Sequence, residues 1–535
     1  MGIAGTERAA SAQILPLIAL PSFGYSIFYL SSPWKGRPNE VSRMNRPFPF
    51  IVAALMLLLA CSVRADLQAD IRVVLKDKTL QRAEIGIEII GLGESAKTDK
   101  TLFKHNSEIP FIPASNLKLV TTSAALANLG PDFKFRTLLL KHNNDLVLIG
   151  DGDPTMGDAE LLKKSGWDVT TLFKNWAEQL KKNKLNNFDR LVVDDSIFDE
   201  QFLHPHWPPE QAHKRYVAEV GGLNLNANCV DFYLRATSAG ETVRYLASPS
   251  TRYITVANTC LTGGDNAVWL SRQGGGNQII LRGHTPSGSD VPVSVTIHDP
   301  SLFAATVLHE TLEVNGVKIT AATPVRDRTL RAALLKTPLD KDPTWTVMAI
   351  HETPLATILA RANKDSMNLY AEALCKRIGA AAGTESGSWK NGTAANGAFL
   401  QKIGVDPSEF HLDDGCGLSK ENTLSANALC QVLVHNHHNP AVKDAFFTSL
   451  SIAGKDGTLE HRFAGTDLRG RVFGKSGYVN SVRTLTGYLK ARDDNWYVFS
   501  ILINQIADTA TGKNLQEQIV HAIDVHSREM TAAGE

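Results

Sequence analysis

Ile112-Pro113-Ala114-Ser115-Asn116-Leu117-Lys118 opens a stretch that continues to Leu129-Gly130-Pro131, and its spacing sets the reading of the rest of the chain. Leu117, Val120, Ala124, Ala125 and Leu126 recur at helical intervals and Gly130-Pro131 stops them, which predicts a helix over 115–129. Residues at i and i+3 share a helix face, so the Ser115 hydroxyl and the Lys118 amine meet at its start. A serine hydroxyl is a weak nucleophile until an adjacent base takes its proton. Lysine serves as that base only where burial or a neighbouring cation lowers its pKa. The free N–H groups of a helix start also favour a developing anion. The spacing alone is weak evidence, because Ser32-Pro33-Trp34-Lys35 repeats it and a solvated Ser/Lys pair reads the same way.

Two further short patterns lie downstream. Ser366-Met367-Asn368 falls between two predicted helices, where a hydroxyl and an amide could relay a proton and grip a substrate carbonyl. A helix N-cap reads the same way, and Ser425-Ala426-Asn427 matches too. Lys475-Ser476-Gly477 precedes a β-type stretch. A strand edge there could align an extended peptide, with Lys475 and Ser476 meeting a terminal carboxylate and Gly477 permitting close backbone approach. A turn is the plainer reading, and Lys164-Ser165-Gly166 is a second match that breaks the order. Each pattern is weak singly. Their combination, Ser-x-x-Lys then Ser-x-Asn then Lys-Ser-Gly, resembles the serine acyl-transfer set of penicillin-binding proteins and β-lactamases.

Composition frames this reading. The 535 residues exceed one hydrophobic core, with 43% hydrophobic and 21% charged residues, as in folded multidomain proteins. Lys plus Arg and Asp plus Glu are both 55, which argues against a general nucleic-acid binder. Six cysteines are too few for a disulfide scaffold, although Cys229 and Cys260 flank a β-rich stretch and could pair. Basic residues Arg43 and Arg46, the apolar run 48–60 and the small-residue exit Val63-Arg64-Ala65 read as an export signal, with Met44 as the expected start. The run is shorter than a membrane span of about 20 residues. Cleavage after Ala65 fits better than acylation of Cys61, because Leu59 is unusual in a lipoprotein signal. The expected location is therefore the periplasm or the outer side of the cytoplasmic membrane.

Organisation follows from the periodicities. Residues 84–90 alternate as a strand, and 136–140 with 146–149 read as a hairpin around Asn143-Asn144-Asp145. Short β-type runs at 244–246, 253–256, 278–281 and 291–297 are separated by Gly- and Ser-rich turns. Helices are expected over 355–362, 369–378 and 515–525, and strands over 345–350, 485–490 and 496–503. The fold expected is α/β (α+β), with 1–65 as leader, 66–135 and 343–535 as a split catalytic domain, and 136–342 as a β-rich insertion.

The chain closely resembles the D-alanyl-D-alanine carboxypeptidase/endopeptidase family, the class C low-molecular-mass penicillin-binding proteins (peptidase family S13), from about Leu67 onward. The resemblance rests on 112–118, on 363–372 around Ser366, and on Gly150-Asp151-Gly152-Asp153-Pro154. It extends to Asp414-Gly415-Cys416-Gly417-Leu418-Ser419 and to 453–459. Ser476 stands where threonine is usual, Cys416 where serine is, and Gly474 where alanine is common; no catalytic group is lost. The resemblance implies a transpeptidase-like fold and Ser115 as nucleophile on D-Ala-D-Ala or D-Ala cross-links, with Lys118 as base. It also implies Ser366 with Lys475 as proton relay, Asn368 on the acyl amide, and Lys475 with Ser476 on the terminal carboxylate. Backbone N–H groups of Ser115 and Tyr478 would form the oxyanion hole. Peptidoglycan stem peptides are the implied substrate and β-lactams the implied covalent inhibitors, with loose membrane or wall association, no nucleic-acid partner, and no cofactor or metal. No His or Cys cluster shows ligand spacing in the sequence. A β-lactamase or esterase on the same scaffold would use the same residues, and a non-catalytic wall-binding protein would keep only the fold.

Overall fold

A computed structural model describes residues 66–337 and 339–532. The export segment, Met44 and Cys61 lie outside the described residues. Glu84–Gly91 is a strand in a six-stranded antiparallel sheet. The sheet order is Ser451–Ile452, Val472–Val479, Val482–Lys490, Trp496–Asn504, Glu84–Gly91, Lys100–His105. Pairing of Glu84 with Asn504 and of Gly91 with Tyr497 joins the two ends of the described chain in one sheet.

Alternation along these strands gives the sheet two apolar faces. Ile85, Ile87, Ile89, Leu485 and Ile501 pack with Leu515, Ile519 and Ile523 of the Thr509–Ala532 helix. Ile90, Val498 and Leu502 pack instead with Leu117, Val120 and Leu126 of Leu117–Leu129, and with residues of Asn368–Ala382, Trp389–Lys402 and Ala426–His438. Each such buried aliphatic side chain is worth about 1.5–3 kcal/mol before conformational entropy is subtracted. The α/β class expected from the sequence is the one observed, with helices on both faces of the sheet.

The expected hairpin forms from Lys134–His142 and Asp145–Ile149, with Asn143 at φ +52° in the turn. It belongs to a five-stranded sheet ordered Val325–Arg326, Leu191–Asp194, Asp145–Ile149, Lys134–His142, Trp345–Pro354. The chain enters this sheet on Lys134–His142 and leaves on its antiparallel neighbour Trp345–Pro354. Smaller sheets follow from Cys229–Arg235 to Val293–Thr296. Between Lys134–His142 and Trp345–Pro354 the longer helices among the described residues are Thr171–Lys182 and Pro300–Val314. The second is buried on most sides and leaves a narrow stripe at Leu302, Thr306, Glu310 and Glu313 toward water, too slight to mark a helical period. Cys229 and Cys260 do not pair: both are free, buried thiols, and Cys260 packs in the apolar core of this region. Among the described residues no helix is long and apolar enough to cross a membrane.

Candidate active site

Ser115 sits in a 3-10 turn, Ala114–Asn116, that leads into the Leu117–Leu129 helix. Ala114, just before it, has φ +47°, a left-handed conformation that costs a non-glycine residue energy and therefore needs support. That support is dense. The Asn504 side chain exchanges two hydrogen bonds with the Ile112 backbone, Thr484 Oγ1 donates to Pro113 O at 2.9 Å, and Asn116 Nδ2 donates to Thr486 Oγ1 at 2.6 Å. Two glycines grip the turn from either side. A Cβ on Gly417 would lie 1.9 Å from Ala114 O, and one on Gly477 would lie 2.0 Å from Thr484 Oγ1 and 3.1 Å from Ala114 Cβ.

Lys118 is fully buried one turn along the helix. Its Nζ lies 2.9 Å from Ser115 Oγ, 2.7 Å from Asn368 Oδ1 and 2.9 Å from Cys416 O. Burial pulls its pKa below the ordinary lysine value, against the opposing fields of Cys416, Asp414 and Glu372. Lys475 is also fully buried and lies on the Val472–Val479 strand; its Nζ donates to Ser366 Oγ at 2.8 Å and to Ser476 O at 2.7 Å. Burial, with Lys118 as a second cation nearby, holds its pKa well below the ordinary value, while Asp365 opposes the shift. Ser366 adopts φ +56° in the link between Leu355–Asn363 and Asn368–Ala382. That link is fixed by Met367 N donating to Arg361 O, and by the Arg361 guanidinium on Asp158 and Asp365.

The three short patterns thus converge on one cleft of about 990 Å³, whose walls include Ser115, Ser366, Asn368, Gly417 and Tyr478. Ser476 is half-buried between Lys475 and Gly477 on the strand edge. Ser451–Ile452 pairs with this strand at Gly474 and Phe473, so among the described residues Lys475–Val479 is hydrogen-bonded to a neighbouring strand on its Val482–Lys490 side alone. Tyr478 is 56% exposed at the cleft wall, with the Arg483 guanidinium 3.9 Å from its ring centroid. The second matches go elsewhere. Ser425 caps the Ala426–His438 helix through Ala428 N at 2.8 Å, and Ser165 ends a 3-10 turn.

Several cleft residues carry no sequence signal beyond the unusual run His204-Pro205-His206-Trp207-Pro208-Pro209. His206, Trp207, Glu210 and Tyr216 come from the long segment between the first two patterns and line the opposite wall. Tyr216 O accepts a hydrogen bond from Asn368 Nδ2 at 2.7 Å, so one amide touches both the catalytic lysine candidate and the far wall. His204, His206 and Asp413 also come together, a cluster that the sequence does not reveal. His204 Nδ1 accepts from His206 N–H at 3.2 Å and its Nε2 faces Asp413 O at 2.9 Å, so both ring nitrogens are already engaged. His206 Nδ1 lies 2.9 Å from the Asp413 carboxylate, which raises the His206 pKa. The buried trio Glu372, Asp414 and Cys416 is satisfied by N–H donors at both carboxylates, an arrangement that suits anions held by protein rather than by a cation.

Known proteins resemble this chain along most of its length. The chain is 28% identical over 487 residues to the D-alanyl-D-alanine carboxypeptidase of Actinomadura sp. (strain R39), covering 86% of this chain and 85% of that one. It is 22% identical over 430 residues to D-alanyl-D-alanine carboxypeptidase DacB of Haemophilus influenzae, covering 76% and 84% respectively. The crystal structure of penicillin binding protein 4 (dacB) from Haemophilus influenzae shares the fold, with a TM-score of 0.69 at 20% identity over 85% of this chain and 99% of that one. The family model of the D-Ala-D-Ala carboxypeptidase 3 (S13) family matches residues 67–525, and the chain belongs to that family.

Proposed function

We propose that the protein is a serine DD-peptidase that cleaves D-Ala-D-Ala termini or D-Ala cross-links of peptidoglycan stem peptides through an acyl-enzyme on Ser115. The observation that carries this reading is the 2.9 Å contact between Lys118 Nζ and Ser115 Oγ, made by a lysine that burial pushes toward its neutral form. Ser115 Oγ attacks the carbonyl carbon of the scissile D-Ala bond and its proton passes to Lys118. The carbonyl electron pair moves onto oxygen, which meets the backbone N–H groups of Ser115 and Tyr478. Collapse restores the carbonyl and breaks the C–N bond while Ser366, backed by Lys475, delivers a proton to the leaving amine. Water then attacks the ester and releases the acyl group.

Lys475 and Ser476 receive the terminal carboxylate, and Gly477 keeps the edge clear for the ligand backbone. An incoming carboxylate offsets the burial that depresses the Lys475 pKa, so binding itself recharges the amine that supplies the relay. Asn368 Nδ2 has two hydrogens; one is committed to Tyr216 O and the other is left for the acyl amide. A β-lactam presents the same carbonyl and carboxylate and acylates Ser115. Residues 66–135 with 343–535 form the peptidase domain, 136–342 the inserted one, and residues up to Ala65 direct export to the periplasm or wall, with at most loose membrane association.

The test is digestion of purified muropeptides followed by mass spectrometry, with fluorescent penicillin labelling in parallel. Loss of one alanine or splitting of cross-linked dimers, together with labelling abolished by Ser115→Ala, is the expected result. Rapid turnover of a chromogenic β-lactam without muropeptide cleavage would assign the same site to a β-lactamase instead.

A further inference from the structure

A neutral lysine amine has two N–H bonds and one lone pair. Asn368 Oδ1 and Cys416 O only accept, so together they take both hydrogens of Lys118 and leave the lone pair directed at the Ser115 hydroxyl. The direction of that lone pair therefore depends on whatever holds these two oxygens. Tyr216 holds Asn368. Cys416 lies in a loop wound around Asp414. Asp414 Oδ1 accepts from Cys416 N at 3.1 Å, Gly417 N at 2.7 Å and Asn422 Nδ2 at 2.9 Å, and Oδ2 accepts from Ser419 N at 2.7 Å. Trp207 Nε1 also donates to Oδ2, at 2.9 Å, tying the cleft's far wall to the same carboxylate.

The preceding peptide is clamped by Glu372, one helical turn after Asn368. Gly415 N donates to both Glu372 oxygens at 3.0 Å and Trp389 Nε1 donates to Oε2 at 2.6 Å. In the next peptide, Gly415 O accepts from Thr121 Oγ1 at 2.7 Å, on the helix that carries Lys118. Both carboxylates have zero exposure, and a buried anion is retained only where donors satisfy it. Neither is placed to touch a substrate.

We propose that Glu372 and Asp414 are positioning residues for acylation, aiming the Cys416 carbonyl at Lys118 and thereby fixing the lone pair that deprotonates Ser115. This rests on Lys118 being the base. The titratable groups facing Lys118 are Cys416, Asp414 and Glu372, with Lys475 across the site. Burial, together with the neighbouring Asp414 carboxylate, pushes the Glu372 carboxyl up to about 7, so its charge favours protonated Lys118 only above that pH, and there its removal makes protonation of Lys118 less favourable.

The experiment measures acylation by a fluorescent penicillin over a pH series, with steady-state kcat and KM on a D-Ala-D-Ala peptide. The full chain is used as wild type, Glu372→Gln, Asp414→Asn, Thr121→Val and Lys118→Met, each checked for thermal unfolding. Glu372→Gln is expected to lower kcat 10- to 100-fold with KM within about twofold, and to move the acid limb of the acylation profile to lower pH. Thr121→Val, the mildest change, keeps the measurement available if the carboxylate variants fail to fold; it is expected to lower kcat severalfold with KM unchanged. Folded variants that acylate within threefold of wild type with an unmoved acid limb, while Lys118→Met is inactive, would overturn the positioning role alone. An active Lys118→Met would overturn both that role and the reading on which it rests.

Discussion

Gly417→Ala tests whether the nucleophile turn is held by contact from its flanks. The glycine has φ +84°, and an added Cβ would stand 1.9 Å from Ala114 O and 2.5 Å from Ala114 C. Both obstructing atoms are backbone, so no side chain can swing aside. Relief to the closest tolerated separation of about 3.0 Å needs a shift of about 1 Å in Ala114 or in the 414–419 loop. Such a shift carries Ser115 with it and takes the 2.9 Å Lys118–Ser115 contact beyond hydrogen-bond range. A misplacement of that size costs about 10²-fold in rate, roughly 2.7 kcal/mol of transition-state stabilisation. Gly404→Ala is the matching control: its φ is +91° and nothing lies within 4 Å of its Cβ, so it introduces backbone strain of about 1–2 kcal/mol without collision. The assay is kcat/KM for D-alanine release together with thermal unfolding of both variants. Gly404→Ala should lose stability and keep its activity. Equal activity in the two variants, or a Gly417→Ala enzyme within threefold of wild type, would refute the clamped-turn argument.

Three other outcomes are expected. Lys118→Met, which keeps the buried volume and removes the proposed base, should slow penicillin acylation by about 10²–10⁴-fold without loss of folded protein, as read by stopped-flow labelling and circular dichroism. Burial pushes the Glu88 carboxyl up to about 7, with Lys104 only partly compensating. The folded pKa lies above the unfolded value, so stability is lost as pH rises from the ordinary carboxyl range through about 7. Chemical denaturation at pH 5 and pH 8 should therefore show wild type losing about 1–2 kcal/mol more than Glu88→Gln, allowing for solvent screening; parallel profiles would contradict the assignment. Cys229, Cys260, Cys375, Cys416 and Cys430 are free and buried, so water-soluble alkylating reagents should modify them only after unfolding. A mass two hydrogens lower in the Cys229–Cys260 peptide pair would disprove their separation.

The legible parts of this protein are those in which the chemistry is local. Residues 84–90 show their strand because one face of the sheet is read in steps of two, and Ser115 and Lys118 show their partnership because the helix itself brings i and i+3 together. The Trp389–Lys402 helix hides for the opposite reason. It contains Gly392, Gly397 and two asparagines, which lower helical propensity, but a Cβ at Gly392 would strike Cys375 O at 2.3 Å. These residues serve close helix packing, a tertiary need that a single segment does not advertise. The far wall was illegible for a similar reason. Tyr216 contributes a backbone oxygen to Asn368, and any residue type has one. Glu372 and Asp414 are visible as acidic letters, but their work depends on N–H groups contributed by a loop more than 40 residues from Glu372.

The open flank of Lys475–Val479 has a bearing on inhibitor durability. A ligand that docks there as an added strand is gripped by peptide groups, which every allele of the gene encodes alike. Substitutions that weaken such a compound would have to bend the strand or crowd Gly477, and the second route also presses on Ala114, next to Ser115. Escape along that flank therefore lowers turnover, whereas the exposed side chains of His206 and Tyr216 on the facing wall can be exchanged without disturbing that turn.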